Sequence, residues 1–569
     1  MRDSITIGSV GAGGDGVVVM GSFLQKLAAS QGYFSQMPRY YGAQIRGGGS
    51  AVKISLDAAH LSLPKDVLDI LVCFSWEKYL EFKPELSMGA DTVVIYEGDP
   101  IDGVNLPQNS FQIDFSRISQ DKTGSARNKN IVALGLLNRL LSYPKAGVMK
   151  AVESDAELRL LKSNIAALEA GERAFSELSL PDLSLSPARD KSPKIVLQGN
   201  EAMARAAIRA GCRAYFGYPI TPAAEIMQEI QGHLSAKKGV YIQAEDEIAA
   251  AAMTIGASLV GTKSLTGTSG PGLDLMTECI GLASSAEIPM VVIDVQRGGA
   301  STGIPSKSEQ SDLNHAIYGG HGDAPRVVMA PYDIEGCYRL VIESFNIAEG
   351  FQVPVLLLSD QWLGQTSTAV NDEFMKKDYH IVERKKPARQ ASGDYLRYQM
   401  TDDFISPMSV AGDEGAIYQA TGLTHKENGR PAFDFKTQQS LHEKRWKKLI
   451  PLQQRDDLVK VFGNEASTKG IITWGSSALV VLEALKSLGV QDEVKVCVPE
   501  LIYPLPEMVE RFIKATKRLL VVEMNYSGQL HGYLRSQLQL PRNTKLYARA
   551  GGRPFSREEL AKPIAKMAR

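Results

Sequence analysis

The sequence predicts an α/β fold made of several parallel-sheet domains, and two observations predict it. From Ile195 to about Ser367, short apolar runs alternate with helical patterns: Ala214–Gly217, Val240–Gln243 and Ser264–Thr268 are each separated by a helix-like stretch. The same alternation returns from Lys469 to the end of the chain. Loops that do chemistry in such sheets lie at the carboxyl ends of the strands. Tyr218–Pro222, Glu245–Glu247 and Thr268–Gly272 are therefore expected to converge on one edge.

A chain of 569 residues has room for about three or four domains. Its formal net charge of −1 gives no bulk field to attract nucleic acid or a membrane surface. No apolar run approaches the roughly 18 residues that span a bilayer. The opening MRDSITIGSVGAGGDG has an acid and glycines where a signal peptide needs an apolar stretch, so a cytoplasmic location is expected. The five cysteines, Cys73, Cys212, Cys279, Cys337 and Cys497, are far apart, with no CxxC. That spacing excludes a ferredoxin-type cluster motif and suggests buried, reduced thiols.

Taken in order, residues 1–178 form a first unit. Ile5–Val10 reads as a strand, and Gly11 to Gly16 opens a helix running through Leu27. A glycine-rich turn between strand and helix lets backbone N–H groups face an anion, but Asp15 inside it counts against phosphate. A second glycine run, Tyr40 to Ser50, carries Arg46 and leads into a strand at Ala51–Ser55. Both runs read equally as tight turns. Residues 179–193, rich in Ser and Pro, are expected to be a linker. A domain over 194–370 follows, then a more polar segment over 371–465. Its basic helical face (Lys444, Arg445, Lys447, Lys448) reads as a solvated surface. Residues 466–569 form a small α/β domain with strands at Ile471–Trp474, Val494–Val498 and Leu519–Glu523.

The chemistry concentrates in 218–272. Prolines on both sides of Ile220-Thr221 stiffen that turn and fix the Thr221 hydroxyl. Glu245, Asp246 and Glu247 open an alanine-rich helix, where acids favour the positive end of the helix dipole. They read equally as ordinary first-turn acids. Arg297 to Lys307 is a long loop with two cations and three hydroxyls.

GNEAMARAAIRAGCRAYFGYPITPAAE, AEDEIAAAAMTIGASLVGTKSLTGTSGPG and DVQRGGASTGIPSKSEQSD resemble the alpha subunit of 2-oxoacid:ferredoxin oxidoreductases. The nearest type is the 2-oxoglutarate enzyme, with a gamma domain fused in front, and the resemblance covers nearly the whole chain. It implies a gamma domain over 1–178 that helps bind coenzyme A, with Gly13, Gly14 and Arg46 as contacts. A pyrimidine-binding domain over 194–370 and a transketolase C-terminal-like domain over 466–569 are implied in the same way.

The implied reaction is oxidative decarboxylation of a 2-oxo acid with coenzyme A, and electrons pass to ferredoxin. Thiamine diphosphate would supply the electron sink. Glu247, followed nine positions later by Gly256, matches the glutamate that activates the cofactor's aminopyrimidine, with Glu245 as the fallback. Tyr218, Pro219, Ile220, Thr221, Ser269 and Gly270 are the other expected cofactor contacts. Thr221, Lys307 and Arg297 are the candidates for the substrate carboxylate, and His315, Lys307 or a group from another chain for a second one. The usual GDG…N motif for diphosphate and Mg²⁺ is missing: Gly14-Asp15-Gly16 lies in the wrong domain, and no metal site is expected in this chain. A beta subunit would bring the diphosphate half, Mg²⁺ and a [4Fe–4S] cluster, in a dimer of alpha–beta heterodimers. Pyruvate and branched-chain or aryl 2-oxo acids are alternative substrates. A non-oxidative thiamine-dependent decarboxylase and a catalytically silent binding protein are the rival classes.

Overall fold

The computed structural model describes residues 1–42, 48–61, 63–143, 162–387 and 395–569. They form two compact units, Met1–Gln198 with Gln365–Glu373, and Gly199–Gly364 with Phe374–Arg569.

The first unit is built on a mixed sheet rather than a parallel one. Ser4–Ala12 pairs antiparallel with Gly49–Asp57 on one side and parallel with Ile70–Cys73 on the other. Val93–Tyr96 and Ser110–Gln112 extend the parallel half. Apolar side chains of the Val17–Ser30 and Lys129–Leu140 helices cover one face. Lys129–Leu140 also meets Lys162–Ser176 at backbone distance, because Gly135 faces the Leu168 carbonyl and Gly171 faces the Val132 carbonyl.

Two boundaries differ from those expected. The 179–193 stretch is not a free linker: Leu183, Leu185 and Ala188 are buried in the first unit's core, and Ser186 N–H donates to the Arg2 carbonyl. Three apolar side chains set among the serines and prolines hold it down. The second difference is a return of the chain. Ser367–Val370 pairs antiparallel with both Phe34–Met37 and Ile195–Leu197, which places 365–373 in the first unit's sheet.

The second unit holds two sheets. The larger runs Val240–Gln243, Ala214–Gly217, Ser264–Thr268, Met290–Gln296, Pro354–Asp360, Val327–Met329, Leu501–Tyr503. All pairs are parallel except the last. Ala214–Gly217, Val240–Gln243, Ser264–Thr268 and Met290–Gln296 lie where the alternation of the sequence puts them. The smaller sheet, with Lys469–Thr473 at its centre between Lys495–Pro499 and Arg518–Glu523, shares one apolar core with the larger. Among the described residues, no helix is long and apolar enough to cross a membrane.

The basic face of the Phe435–Lys447 helix is not solvated as expected. Lys444 is 0% exposed and Lys448 2%, and both ammonium groups reach the fully buried Glu287, at 2.5 and 3.0 Å. Arg397 Nη2 donates to the Glu287 carbonyl at 2.7 Å. Burial alone would raise the Glu287 carboxyl, but Lys444, Lys448 and Arg397 outweigh it and hold it well below the usual carboxylate range. One acid thus gathers three cations from the intermediate segment onto the turn before Met290–Gln296. Glu287→Gln should destabilise the protein by about 3–5 kcal/mol in denaturant unfolding, because it leaves Lys444 and Lys448 buried without a counter-charge.

Candidate functional site

Strand order creates the site. The chain runs from Ala214–Gly217 out to the edge strand Val240–Gln243, then crosses back to Ser264–Thr268 on the other side. Ligands of open parallel sheets bind in the crevice where the order reverses, beyond the carboxyl ends of the strands. The crevice is flanked by the Tyr218–Pro222 turn and by Ser269 with the first turn of the Gly270–Ser285 helix, where the sequence suggested a loop.

The turn is pinned from two sides. Fully buried Asn200 donates through Nδ2 to the Pro222 carbonyl at 2.8 Å, and Arg297 Nη1 donates to the Thr221 carbonyl at 2.7 Å. Tyr218, Pro219 and Thr221 stay exposed and Ile220 half-buried. Thr221 therefore presents its side chain while its backbone is fixed.

The three acids separate cleanly. Asp246 is the N-cap of the Glu247–Leu259 helix, accepting the Ala249 N–H at 2.8 Å, and Glu245 is exposed. Glu247 alone is buried, at 6% exposure. Gly272 makes room for it: a Cβ there would lie 2.6 Å from Glu247 Oε1 and against Thr268 Oγ1. The Thr268 and Ser269 hydroxyls beside it are buried without hydrogen-bond partners among the described residues, and Ser269 leaves its helix uncapped by its side chain. A buried carboxylate at the crevice, next to unpartnered hydroxyls, suits the polar edge of a heteroaromatic ring. In this respect the residues fit a bound pyrimidine.

Arg297 follows the Met290–Gln296 strand and is 7% exposed. Burial lowers its pKa, while Asp312, Asp294 and Glu247 oppose that shift. Asp294, inside the strand, is fully buried, and neither of its oxygens meets an N–H or hydroxyl among the described residues. Burial first, and Asp312 next, push Asp294 well above the usual carboxylate range. Asp312, driven by burial, is pushed up to about 6.

Asp312 and Arg297 line a cleft of ≈ 370 Å³ with Gly270, Ser301, Asn525 and Tyr526. The last two come from the smaller sheet, past the end of Arg518–Glu523. Asn525 Nδ2 donates to the Gln310 carbonyl at 3.0 Å and Gln529 Nε2 to the Ser311 carbonyl at 2.6 Å, locking that end in place.

The structure thus brings Thr221, Glu247, Ser269, Gly270 and Arg297 to one crevice. Lys307 is half-buried within its own loop, its carbonyl accepting the Gly298 N–H, and it does not line the cleft. His315 lies between Asp274 and Thr277, at 3.2 Å from each. In the first unit, Ala12 N–H donates to Asp15 Oδ2 at 2.7 Å, Gly13 N–H donates to the Gly48 carbonyl, and Lys129 pairs with Asp15 Oδ1 at 2.9 Å. The first two amides of that turn are therefore committed within the chain, and Asp15 has a structural role. Arg46 lies outside the described residues. Cys73, Cys212, Cys337 and Cys497 are buried, and Cys279 is half-buried. Sequence reasoning missed Asp294, Asp312, Asn200 and Asn525. The one available signal was an acid inside the apolar run MVVIDVQ, a residue type that is rarely buried unless paired.

Comparison with known proteins agrees along the whole chain. Residues 205–444 match the family model for the thiamine-diphosphate-binding part of pyruvate flavodoxin/ferredoxin oxidoreductases, and residues 6–174 match a second model of pyruvate ferredoxin/flavodoxin oxidoreductases. A 2-oxoacid:ferredoxin oxidoreductase subunit alpha of a Sulfolobus species is 30% identical over 635 positions, covering 100% of this chain and 97% of that one. The 2-oxoglutarate synthase subunit KorA of Methanothermobacter marburgensis is 36% identical, covering 65% of this chain and 98% of that one. A solved 2-oxoglutarate:ferredoxin oxidoreductase from Magnetococcus marinus, with 2-oxoglutarate, coenzyme A and succinyl-CoA bound, is 33% identical with a TM-score of 0.92, over 100% of each chain.

Two glycines of one helix should respond oppositely to alanine. Gly272→Ala drives a methyl into Glu247 and Thr268 and should cost about 1–3 kcal/mol. Gly281→Ala meets nothing within 4 Å and should stabilise by about 0.5–1 kcal/mol. Thermal unfolding of both variants checks the pair.

Proposed function

The chain belongs to the family of 2-oxoacid:ferredoxin oxidoreductase alpha subunits, and from that premise we propose that its substrate is 2-oxoglutarate. The products are succinyl-CoA, carbon dioxide and reduced ferredoxin, and the same chemistry runs in reverse as a carboxylation. The observation that carries the reading is Glu247: it is the buried member of its acid cluster and sits at the strand-order reversal against Gly272. The choice of acid rests on the KorA and Magnetococcus marinus likenesses.

Thiamine diphosphate, when bound, supplies the electron sink that loss of carbon dioxide from a 2-oxo acid requires. The chain's own residues do the rest. Glu247 would hold a proton toward a bound pyrimidine ring, the contact that favours the ring's amino group acting as a base. Tyr218–Thr221 and Ser269–Gly270 are the residues that would hold that ring. Thr221 and Arg297 receive the reacting end of the substrate, the former through its hydroxyl and the latter through charge. Lys307 and His315 are the proposed cations for the distal carboxylate. Coenzyme A belongs to the first unit, where Gly14 and Arg46 carry the proposal and the Gly13 amide is committed to Gly48.

The partner is a beta subunit bearing the diphosphate half of the site, Mg²⁺ and a [4Fe–4S] cluster, in a cytoplasmic dimer of alpha–beta heterodimers that reduces ferredoxin. Support for such a partner lies on the Glu247 helix. Its outer face, Ile248, Ala252, Met253, Gly256 and Val260, is exposed and wholly apolar, and Leu275 and Leu282 are exposed on the following helix. An apolar patch of this kind marks a protein interface.

In the anaerobically purified complex, 2-oxoglutarate should reduce a viologen only when coenzyme A is present. Preference for pyruvate or a branched-chain acid would refute the choice of substrate. Reduction without coenzyme A, or none with any acid, would refute the reaction. Glu247→Gln should lower kcat by about 10²–10⁴ while the complex still assembles.

A further inference from the structure

Exposed charge is unevenly spread over the second unit. The whole chain has a formal charge of −1, yet residues 517–569 hold eleven lysines and arginines against three acids. Of those acids, Glu523 is fully buried and accepts the Leu530 and His531 amides, and Glu559 holds Arg549 at 2.5 Å. Glu558 is left as the exposed acid of the stretch.

The excess lies along the open edge of the smaller sheet. Asn543–Ala548 is its outermost strand, parallel to Arg518–Glu523, with Asn543 opposite Arg518. Arg518 starts one strand, and Arg542 and Lys545 sit at the start of the other. Lys562 and Lys566 are on the Arg557–Ala568 helix, and Arg553 is in the loop before it. That helix runs back along the sheet: Glu559 meets Tyr547 in the outer strand, and the Ala568 carbonyl meets Lys469 at the start of the central one. All six cations are exposed, and none forms an ion pair among the described residues. Neighbouring Lys469 and Lys514 do have acids beside them, Glu493 and Glu510, so the imbalance is confined to this edge. The edge also reaches the cleft. Gly552 N–H donates to the Ser308 carbonyl at 3.0 Å, and the next residue, Glu309, lines the cleft with Arg297.

We propose that this basic edge is the docking surface for the anionic electron acceptor, ferredoxin. The proposal rests on the reading above, in which ferredoxin takes the electrons. An iron–sulfur cluster held by four thiolates is an anion, and each electron it accepts adds one more negative charge. A patch of unpaired cations steers such a carrier to contact and raises the rate of encounter. Because the edge adjoins the cleft loop, the carrier would sit beside the subunit that completes the crevice. A second copy of this chain is a poor occupant, since like charges would face each other. Nucleic acid fits less well, because Tyr547 and Phe555 pack on each other, with ring centroids 5.8 Å apart, instead of offering bases a stacking face.

The test uses the purified complex with coenzyme A and whichever 2-oxo acid it turns over. Reduction of a purified ferredoxin is read against reduction of a viologen, a small dye that needs no docking surface. The triple variant Arg542→Glu, Lys545→Glu, Lys562→Glu should raise the KM for ferredoxin about tenfold at low ionic strength and leave viologen reduction unchanged. In wild type that KM should climb with added salt, and in the variant the salt dependence should flatten. A second triple variant, Lys122→Glu, Lys191→Glu, Lys237→Glu, makes the same change in net charge at exposed sites elsewhere. It should keep the ferredoxin KM within about twofold of wild type. A wild-type KM in the first variant, or an equal rise in both variants, overturns the docking site. A parallel loss of viologen reduction does so too, because it places the effect in folding or assembly. Loss of duplex-DNA binding with the ferredoxin KM intact assigns the edge to nucleic acid and also overturns it. A wild-type complex that reduces viologen but no ferredoxin refutes the acceptor itself, which separates that failure from failure of the surface.

Discussion

Arg297 is the fixed point of the second unit's chemistry. Its Nη1 holds the Thr221 carbonyl at 2.7 Å while Asn200 holds the next carbonyl of the same turn at 2.8 Å. A loop that must present a hydroxyl to a ligand ordinarily pays for its position in conformational entropy. Here two buried donors and two prolines remove that freedom in advance. Burial of the guanidinium is offset in part by the charges of Asp312, Asp294 and Glu247. The shape of the turn and the charge of the crevice are thus set by one side chain.

That arrangement depends on how the sheets are held. Glu287 draws Lys444, Lys448 and Arg397 onto the turn that feeds Met290–Gln296, the strand that ends at Arg297. The smaller sheet anchors the far side. Gln310 N–H donates to the Met524 carbonyl, its Nε2 to the Trp474 carbonyl, and Ser477 donates to its Oε1. The loop from Gly298 to Asp312 is thereby tied at one end to Arg297 and at the other to the smaller sheet's strand ends. Asp312 owes its place in the cleft to that second attachment.

Burial divides residues of the same type between different tasks. Of three consecutive acids, Asp246 caps a helix, Glu245 faces solvent and Glu247 faces the crevice. Of the acids in the DVQRGGASTGIPSKSEQSD segment, Glu309 accepts a backbone amide, Asp294 is buried without a hydrogen-bond partner among the described residues, and Asp312 lines the cleft. Asp15, within a glycine-rich turn of the first unit, accepts the very amide an anionic ligand would need.

By itself the sequence determined the α/β class, the strands that carry the crevice loops and the family. Ala214–Gly217, Val240–Gln243, Ser264–Thr268 and Met290–Gln296 were legible because apolar runs bounded by Gly, Pro and Ser are local signals. The mixed pairing of the first sheet, the packing of 179–193 and the return of 365–373 were not legible, since each depends on partners distant in the chain. For the same reason Lys444 and Lys448, read as part of a solvated face, proved buried: their counter-charge, Glu287, lies more than a hundred residues away. Only the tertiary structure decided which of the three acids is buried, that Arg297 clamps a backbone turn, and that Asp294 is sealed in the core while Asp312 lines the cleft. Strand order and burial come from contacts between segments, and neither periodicity nor spacing along one segment encodes them.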